Sequence, residues 1–79
     1  MTYAEFLAMI EAAMREMVED AWILSHANLI AAGIDPDDCA EKLALLEDMR
    51  RANERHAKAM LARAPALWSE MQEAARRAE

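Results

Sequence analysis

The single glycine of this sequence, with the proline three residues after it, marks a sharp turn between two long helical patterns. Gly33 follows an apolar periodic run, where glycine commonly takes the left-handed conformation that ends a helix, and Ile34 can close onto the last turn. Asp35 is suited to cap a second helix, and Pro36 to start it, because that position needs no N–H donor. So short a connection makes consecutive helices antiparallel neighbours, and the sequence therefore predicts a helical hairpin.

Helix is the expected structure for almost the whole chain. One Gly and two Pro occur among 79 residues, and the composition is otherwise rich in Ala, Leu, Glu and Met, which favour helix. Thr2 and Glu5 match the S/T-x-x-E capping box at the start of a helix. Pro65 interrupts the second helical pattern and is expected to begin a separate third helix. The predicted elements of this single all-α domain are a helix over 3–32, a turn at 33–35, and helices over 36–64 and 65–78.

Each of the two long helices carries an apolar seam whose steps alternate between four and three residues, as in a heptad repeat. On the first helix the seam is Tyr3, Leu7, Ile10, Met14, Met17, Ala21, Leu24, Asn28 and Ala31. On the second helix it is Cys39, Leu43, Leu46, Met49, Asn53, His56 or Ala57, and Met60. Seams of this spacing favour packing of the two helices with nearly aligned axes.

The first helix loses its polar face after Asp20. The large side chains of the following segment, on two flanks of the helix, are Trp22, Ile23, His26, Leu29 and Ile30. They offer more apolar surface than one neighbouring helix covers. A third helix that folds back from Pro65 reaches only about 20 Å, to the level of Met17. We therefore expect a second copy of the chain, or a different protein, to cover this segment in a dimeric helical bundle.

The charge of the chain argues against two classes of partner. With 9 basic against 15 acidic residues its formal net charge is −6, and nucleic acids and anionic membranes bind chiefly Lys and Arg. The first residues lack the basic segment of a signal peptide, and the apolar runs are too short for a membrane span. The lone Cys39 forms no intrachain disulfide. We expect a cytoplasmic protein that binds a protein partner, and neither nucleic acid nor membrane.

No set of residues predicts catalysis, a metal or a cofactor. The di-metal carboxylate pattern of helical bundles places Glu three residues before His, but Ile23 precedes His26 at that spacing and Asn53 precedes His56. No Ser or Cys nucleophile has a paired base by spacing, and no glycine-rich phosphate loop occurs. Each histidine is expected at a boundary or an interface, and the chain is expected not to be an enzyme.

Three functions remain open at the level of sequence. The first is a small acidic interaction module that binds a protein through the apolar segment after Asp20. The second is an inhibitor of the kind that mobile elements such as phages encode. It would occlude a basic nucleic-acid-binding surface of its target with an acidic face, formed by Glu11, Glu16, Glu19 and Asp20. The third is a metal or catalytic site formed only across a dimer interface, where the His26 side chains of two copies would meet.

Overall fold

The computed structural model describes residues 1–78 of the chain. Its elements are helix α1 (Tyr3–Ala31), a 3₁₀ turn (Pro36–Asp38), helix α2 (Ala40–Ala62) and helix α3 (Ala64–Ala78). No strand occurs among the described residues, so the predicted all-α class is confirmed. Helices α1 and α2 pack side by side in opposite directions, as the short connection predicts.

The connection between α1 and α2 has the geometry that the sequence predicts. Gly33 has a φ of 82°, and its N–H donates to the carbonyl oxygen of Ile30 at 3.0 Å. The N–H of Ile34 donates to the carbonyl oxygen of Leu29 at 2.9 Å. These two bonds form a Schellman motif, which satisfies carbonyl groups that the helix end leaves without partners.

We expect Gly33→Ala to lower the free energy of unfolding by about 1–2 kcal/mol, because an L residue is strained at this positive φ. A Cβ atom at Gly33 would meet nothing within 4 Å, so the effect comes from the backbone alone. Asparagine tolerates the left-handed region, and Gly33→Asn should therefore lose clearly less. Urea denaturation followed by circular dichroism measures both variants. Equal losses for Ala and Asn would contradict the backbone origin of the effect.

The start of the second helix differs from the predicted continuous helix over 36–64. The Asp35 carboxylate accepts a hydrogen bond from the N–H of Asp37 at 3.0 Å, and Pro36 is fully buried. This cap holds only a single 3₁₀ turn, because the backbone at Cys39 is extended, with φ of −132° and ψ of 94°. Helix α2 then begins at Ala40 without a side-chain cap. The capping box of α1, from Thr2 to Glu5, is present as predicted.

The face that α1 turns toward α2 does not follow the predicted heptad seam. It advances mainly by four residues, through Ile10, Met14, Val18 and Trp22, of which Val18 is 8% exposed. Four residues turn about 40° beyond one full helical turn, so the contact stripe winds around α1.

The heptad prediction was therefore wrong for most of the second half of α1, where Ala21 is the one predicted seam residue that lies against α2. Met17 and Leu24, which it placed in the seam, are 39% and 63% exposed, and Asn28 and Ala31 are exposed as well. A heptad seam faces its neighbour throughout only when the helices supercoil to about 3.5 residues per turn. On α2 the seam is largely as predicted, except that Arg50 takes the position given to Met49.

The core lies along the contact between α1 and the α2–α3 arm. Its buried apolar residues are Phe6, Val18, Leu46, Ala57 and Ala64. The Trp68 ring packs at 5.2 Å from the ring of Phe6 and at 5.9 Å from that of Tyr3. Aromatic contacts therefore fix the first turn of α3 against the start of α1.

Helix α3 continues in the direction of α2 and does not fold back. Only Arg63 separates the two helices, and its φ of −87° and ψ of −7° are close to helical values. Pro65 lies in the first turn of α3, where an N–H donor is not needed. The longest dimension of the molecule is 57 Å. That is about the length of 39 helical residues, which matches residues 40–78 in line.

The expectation of a third helix folding back along the hairpin was thus wrong. Because Trp68 already lies beside Tyr3, the rest of α3 extends past the start of α1. We call residues 69–78 the α3 overhang; all of them are exposed.

Candidate interaction surfaces

An open groove of about 720 Å³ runs between α1 and α2 on one side of the hairpin. Its floor is apolar and is formed by Met14, Val18, Ala57 and Leu61. Its rims are charged and consist of Glu11, Arg15, Glu16 and Glu19 on α1, with Arg50, Glu54 and Lys58 on α2. Each rim carries both carboxylates and cations, so the groove suits a ligand with an apolar face and charges of both signs.

Arg50 closes the end of this groove that is nearer the turn. Its guanidinium lies 3.1 Å from a carboxylate oxygen of Glu19 and 3.5 Å from one of Glu54. The same guanidinium lies 5.2 Å from the centre of the Trp22 ring, within cation–π range. Because these groups are partly exposed, the contacts orient the side chains more than they stabilise the fold.

The residues predicted for the interface do not form one surface. Trp22, His26 and Leu29 are half-buried, since the winding contact stripe brings their flank toward α2. Ile23 and Ile30 remain exposed, by 54% and 49%. The two isoleucines are seven residues apart and therefore share one row on the outer side of α1.

Three of the four acidic residues predicted as a contact face line the groove. Glu11, Glu16 and Glu19 do so, whereas Asp20 does not. Glu19 is paired with Arg50. The structure thus brings Glu11, Glu16 and Glu19 together. It also places Arg15, Arg50 and Lys58 in the same groove, which the sequence pattern did not predict.

The opposite side of the hairpin carries exposed apolar side chains on both helices. They are Met17, Leu24, Leu45 and Met49, with exposures of 39%, 63%, 52% and 45%, and we call them the apolar face. Leu24 is about 140° around α1 from Glu19, and Met49 about 180° around α2 from Lys58, so neither points into the groove. Met17 and Leu24 are seven residues, or about 10 Å, apart along α1, and the antiparallel arrangement places Leu45 and Met49 beside this segment.

Sequence reasoning missed this surface because it assigned Met17, Leu24 and Met49 to the seam. One local signal was available. Leu45 and Leu46 are neighbours in the sequence, and two adjacent residues on a helix cannot both face the same partner helix. Leu46 is 4% exposed and Leu45 is 52% exposed.

Residues 1–78 contain no group of three or more His, Cys, Asp or Glu side chains that could hold a metal ion. His26 is half-buried near the turn end of α1, and His56 is exposed on α2. In the same range, no helix combines the length and the hydropathy of a membrane span. Comparison with models of protein families, with curated proteins and with solved structures found no match to this chain.

Proposed function

We propose that this chain is a non-catalytic interaction module that binds a protein partner through the apolar face. The observation that carries the proposal is the small core of the single chain. Among the described residues only three large apolar side chains are buried, Phe6, Val18 and Leu46, whereas nine are at least 39% exposed. A chain of this size with so few buried side chains is marginally stable, and burial against a partner adds to its stability.

The apolar face offers a docking site for a helix. The exposed side chains of two neighbouring antiparallel helices border a shallow groove between the helices. In a helical bundle, a third helix packs into such a groove. Covering the exposed half of each of the four side chains contributes about 1 kcal/mol per residue, before the entropy lost on association is subtracted. The partner is therefore a protein with an apolar helical stripe, and a second copy of this chain in a dimeric bundle meets that description.

The distribution of charge favours this proposal over an acidic inhibitor of a nucleic-acid-binding protein. Such an inhibitor presents a surface of one sign, as nucleic acid does. Arg15, Arg50 and Lys58 lie among the glutamates of the groove. A site shared by two His26 side chains would require two copies to meet at the turn end of α1, where His26 is half-buried in the single chain.

We expect Leu45→Lys and Met49→Lys to weaken partner binding at least tenfold, because each places a charge where the partner buries apolar surface. Both positions are exposed in the single chain, so helix content and unfolding midpoint should stay nearly unchanged. Binding is measured by affinity capture from the native host with quantitative mass spectrometry, together with the solution mass of the purified variants.

The matched control reverses charge on the other side of the hairpin, in the triple variant Glu16→Lys, Glu19→Lys and Asp20→Lys. Retained binding in the control and loss in the apolar-face variants support the proposal. The reverse pattern, with binding lost only in the charge-reversed variant, would establish the acidic inhibitor instead.

A further inference from the structure

The α3 overhang carries a second apolar surface, separate from the apolar face. Met71, Ala74, Ala75 and Ala78 recur at helical spacing and are exposed. They continue the row of α3 that begins with Trp68, which packs against α1. The overhang thus extends an existing helix–helix interface beyond the point where α1 supplies the other side.

Beyond the start of α1, the apolar side of the overhang borders a space that is as long as the overhang itself. It begins at the start of α1, whose Tyr3 lies beside Trp68, and runs for about 15 Å along residues 69–78. A second α3 in the opposite direction would occupy this space in line with α1. By symmetry, the first α3 would fill the same space in the other copy.

The sizes of the side chains along α3 fit an antiparallel pair. The first half of the apolar row has bulky residues, Leu67, Trp68 and Met71, and the second half has only alanines. In an antiparallel pair centred near residue 73, Met71 of one copy lies opposite Ala75 of the other. Within the overhang, the one bulky apolar residue of each copy then faces an alanine of the other, as efficient packing requires, while Trp68 stays packed against α1 of its own chain. A parallel pair would place bulky side chains together and leave a gap between the alanines.

The charges along α3 fit the same arrangement. In the overhang, Glu70 and Glu73 precede Arg76 and Arg77. Antiparallel pairing brings Glu70 of one copy beside Arg77 of the other, because the two residues lie on the same flank of α3, whereas parallel pairing would place like charges together. Within one chain, Arg76 and Arg77 also lie 3.8 and 3.7 Å from the Glu73 carboxylate. Interaction with the helix macrodipole explains the order of the charges but not the order of side-chain sizes. Both gradients together point to a second copy as the occupant.

We propose that two copies of this chain associate through their α3 overhangs as an antiparallel pair. The contact is short, below the size of a standard protein interface, and we therefore expect a weak, concentration-dependent dimer. It uses none of the residues of the apolar face, so one dimer would present two such faces near its opposite ends. The failure of one proposal therefore leaves the other to be judged on its own variants.

Sedimentation equilibrium over a wide concentration range tests the pairing. We expect the wild-type chain to dimerise, and Ala75→Glu to weaken dimerisation at least tenfold by placing a charge inside the contact. The control Ser69→Glu adds the same charge on the far side of α3 and should leave the dimer intact. Both residues are exposed, so neither change is expected to alter folding. A monomeric wild type at all concentrations would overturn the proposal.

Charge exchange and cross-linking test the direction of the pair. Glu70→Arg and Arg77→Glu should each weaken the dimer, and the double variant should restore it. In a Cys39→Ser background, a mixture of Met71→Cys and Ala75→Cys chains should form a disulfide between the two variants. Cross-links of each variant only with itself would show a parallel pair. Dimerisation lost in Leu45→Lys but kept in Ala75→Glu would place the second copy on the apolar face. Either result would overturn the proposal.

Discussion

Replacing Leu46 with alanine is expected to lower the free energy of unfolding by about 2–5 kcal/mol, near the upper end of that range. Leu46 is 4% exposed and is one of three large apolar side chains buried in the described residues. Its loss leaves a cavity between α1 and α2 that the few remaining core residues fill poorly. Natural domains of this length have a total stability of only about 4–12 kcal/mol, so a substantial unfolded fraction is expected at physiological temperature.

The adjacent residue provides a matched control for this effect. Leu45→Ala removes the same atoms from a side chain that is 52% exposed. It should lower the free energy of unfolding by less than about 1 kcal/mol, because little buried surface is lost. Urea denaturation at a concentration where the chain is monomeric compares the two variants. Similar losses at positions 45 and 46 would show that α2 faces α1 through another side.

Phe6→Ala is the second change with a large expected effect, about 3–5 kcal/mol. Phe6 is 3% exposed, and its ring contacts that of Trp68 at 5.2 Å. Without this ring, the start of α1 should separate from the first turn of α3. Met9→Ala, at a residue that is 51% exposed, is the control and should have little effect.

The emission of Trp68, measured in a Trp22→Phe background, reports where the structure opens. Phe6→Ala should shift this emission to longer wavelength below the main unfolding transition, since the indole becomes hydrated. A double-mutant cycle with Trp68→Ala should give a coupling of about 1 kcal/mol between the two rings. No coupling would mean that Trp68 is held by other contacts of α3.

The turn and the cap of α1 could be predicted from sequence because their causes are local, and the Asp35 cap also forms, although it starts a 3₁₀ turn and not α2. Gly33 takes a conformation that other residues avoid, and the Asp35 and Thr2 caps act over two or three residues. The α1 seam could not be predicted in the same way. A heptad and a four-residue row share Ile10 and Met14, and they separate only when α2 selects Val18 over Met17.

The direction of α3 depended on one junction. Proline ends many helices, but in a first turn it is tolerated, and Arg63 alone cannot reverse the chain while it keeps nearly helical angles. The candidate surfaces depend on both the course of the α1 seam and the direction of α3. Winding of the seam moved Trp22 toward α2 and Leu24 to the surface, and the straight course of α3 exposed its apolar row.

The short connection at Gly33 also has a consequence for the rates of folding and unfolding. Contacts between the arms close loops of increasing length from the turn outward, and the entropy lost on closing a loop is smallest nearest to it. We therefore expect the folding nucleus to form around Leu29, Ile34 and Pro36, and Phe6 and Trp68 to come together last. Changes near the turn act mainly on the folding rate, and changes at the open end act mainly on the unfolding rate. In a chevron plot, substitutions near the turn should therefore shift the folding limb, and substitutions at the open end should shift the unfolding limb.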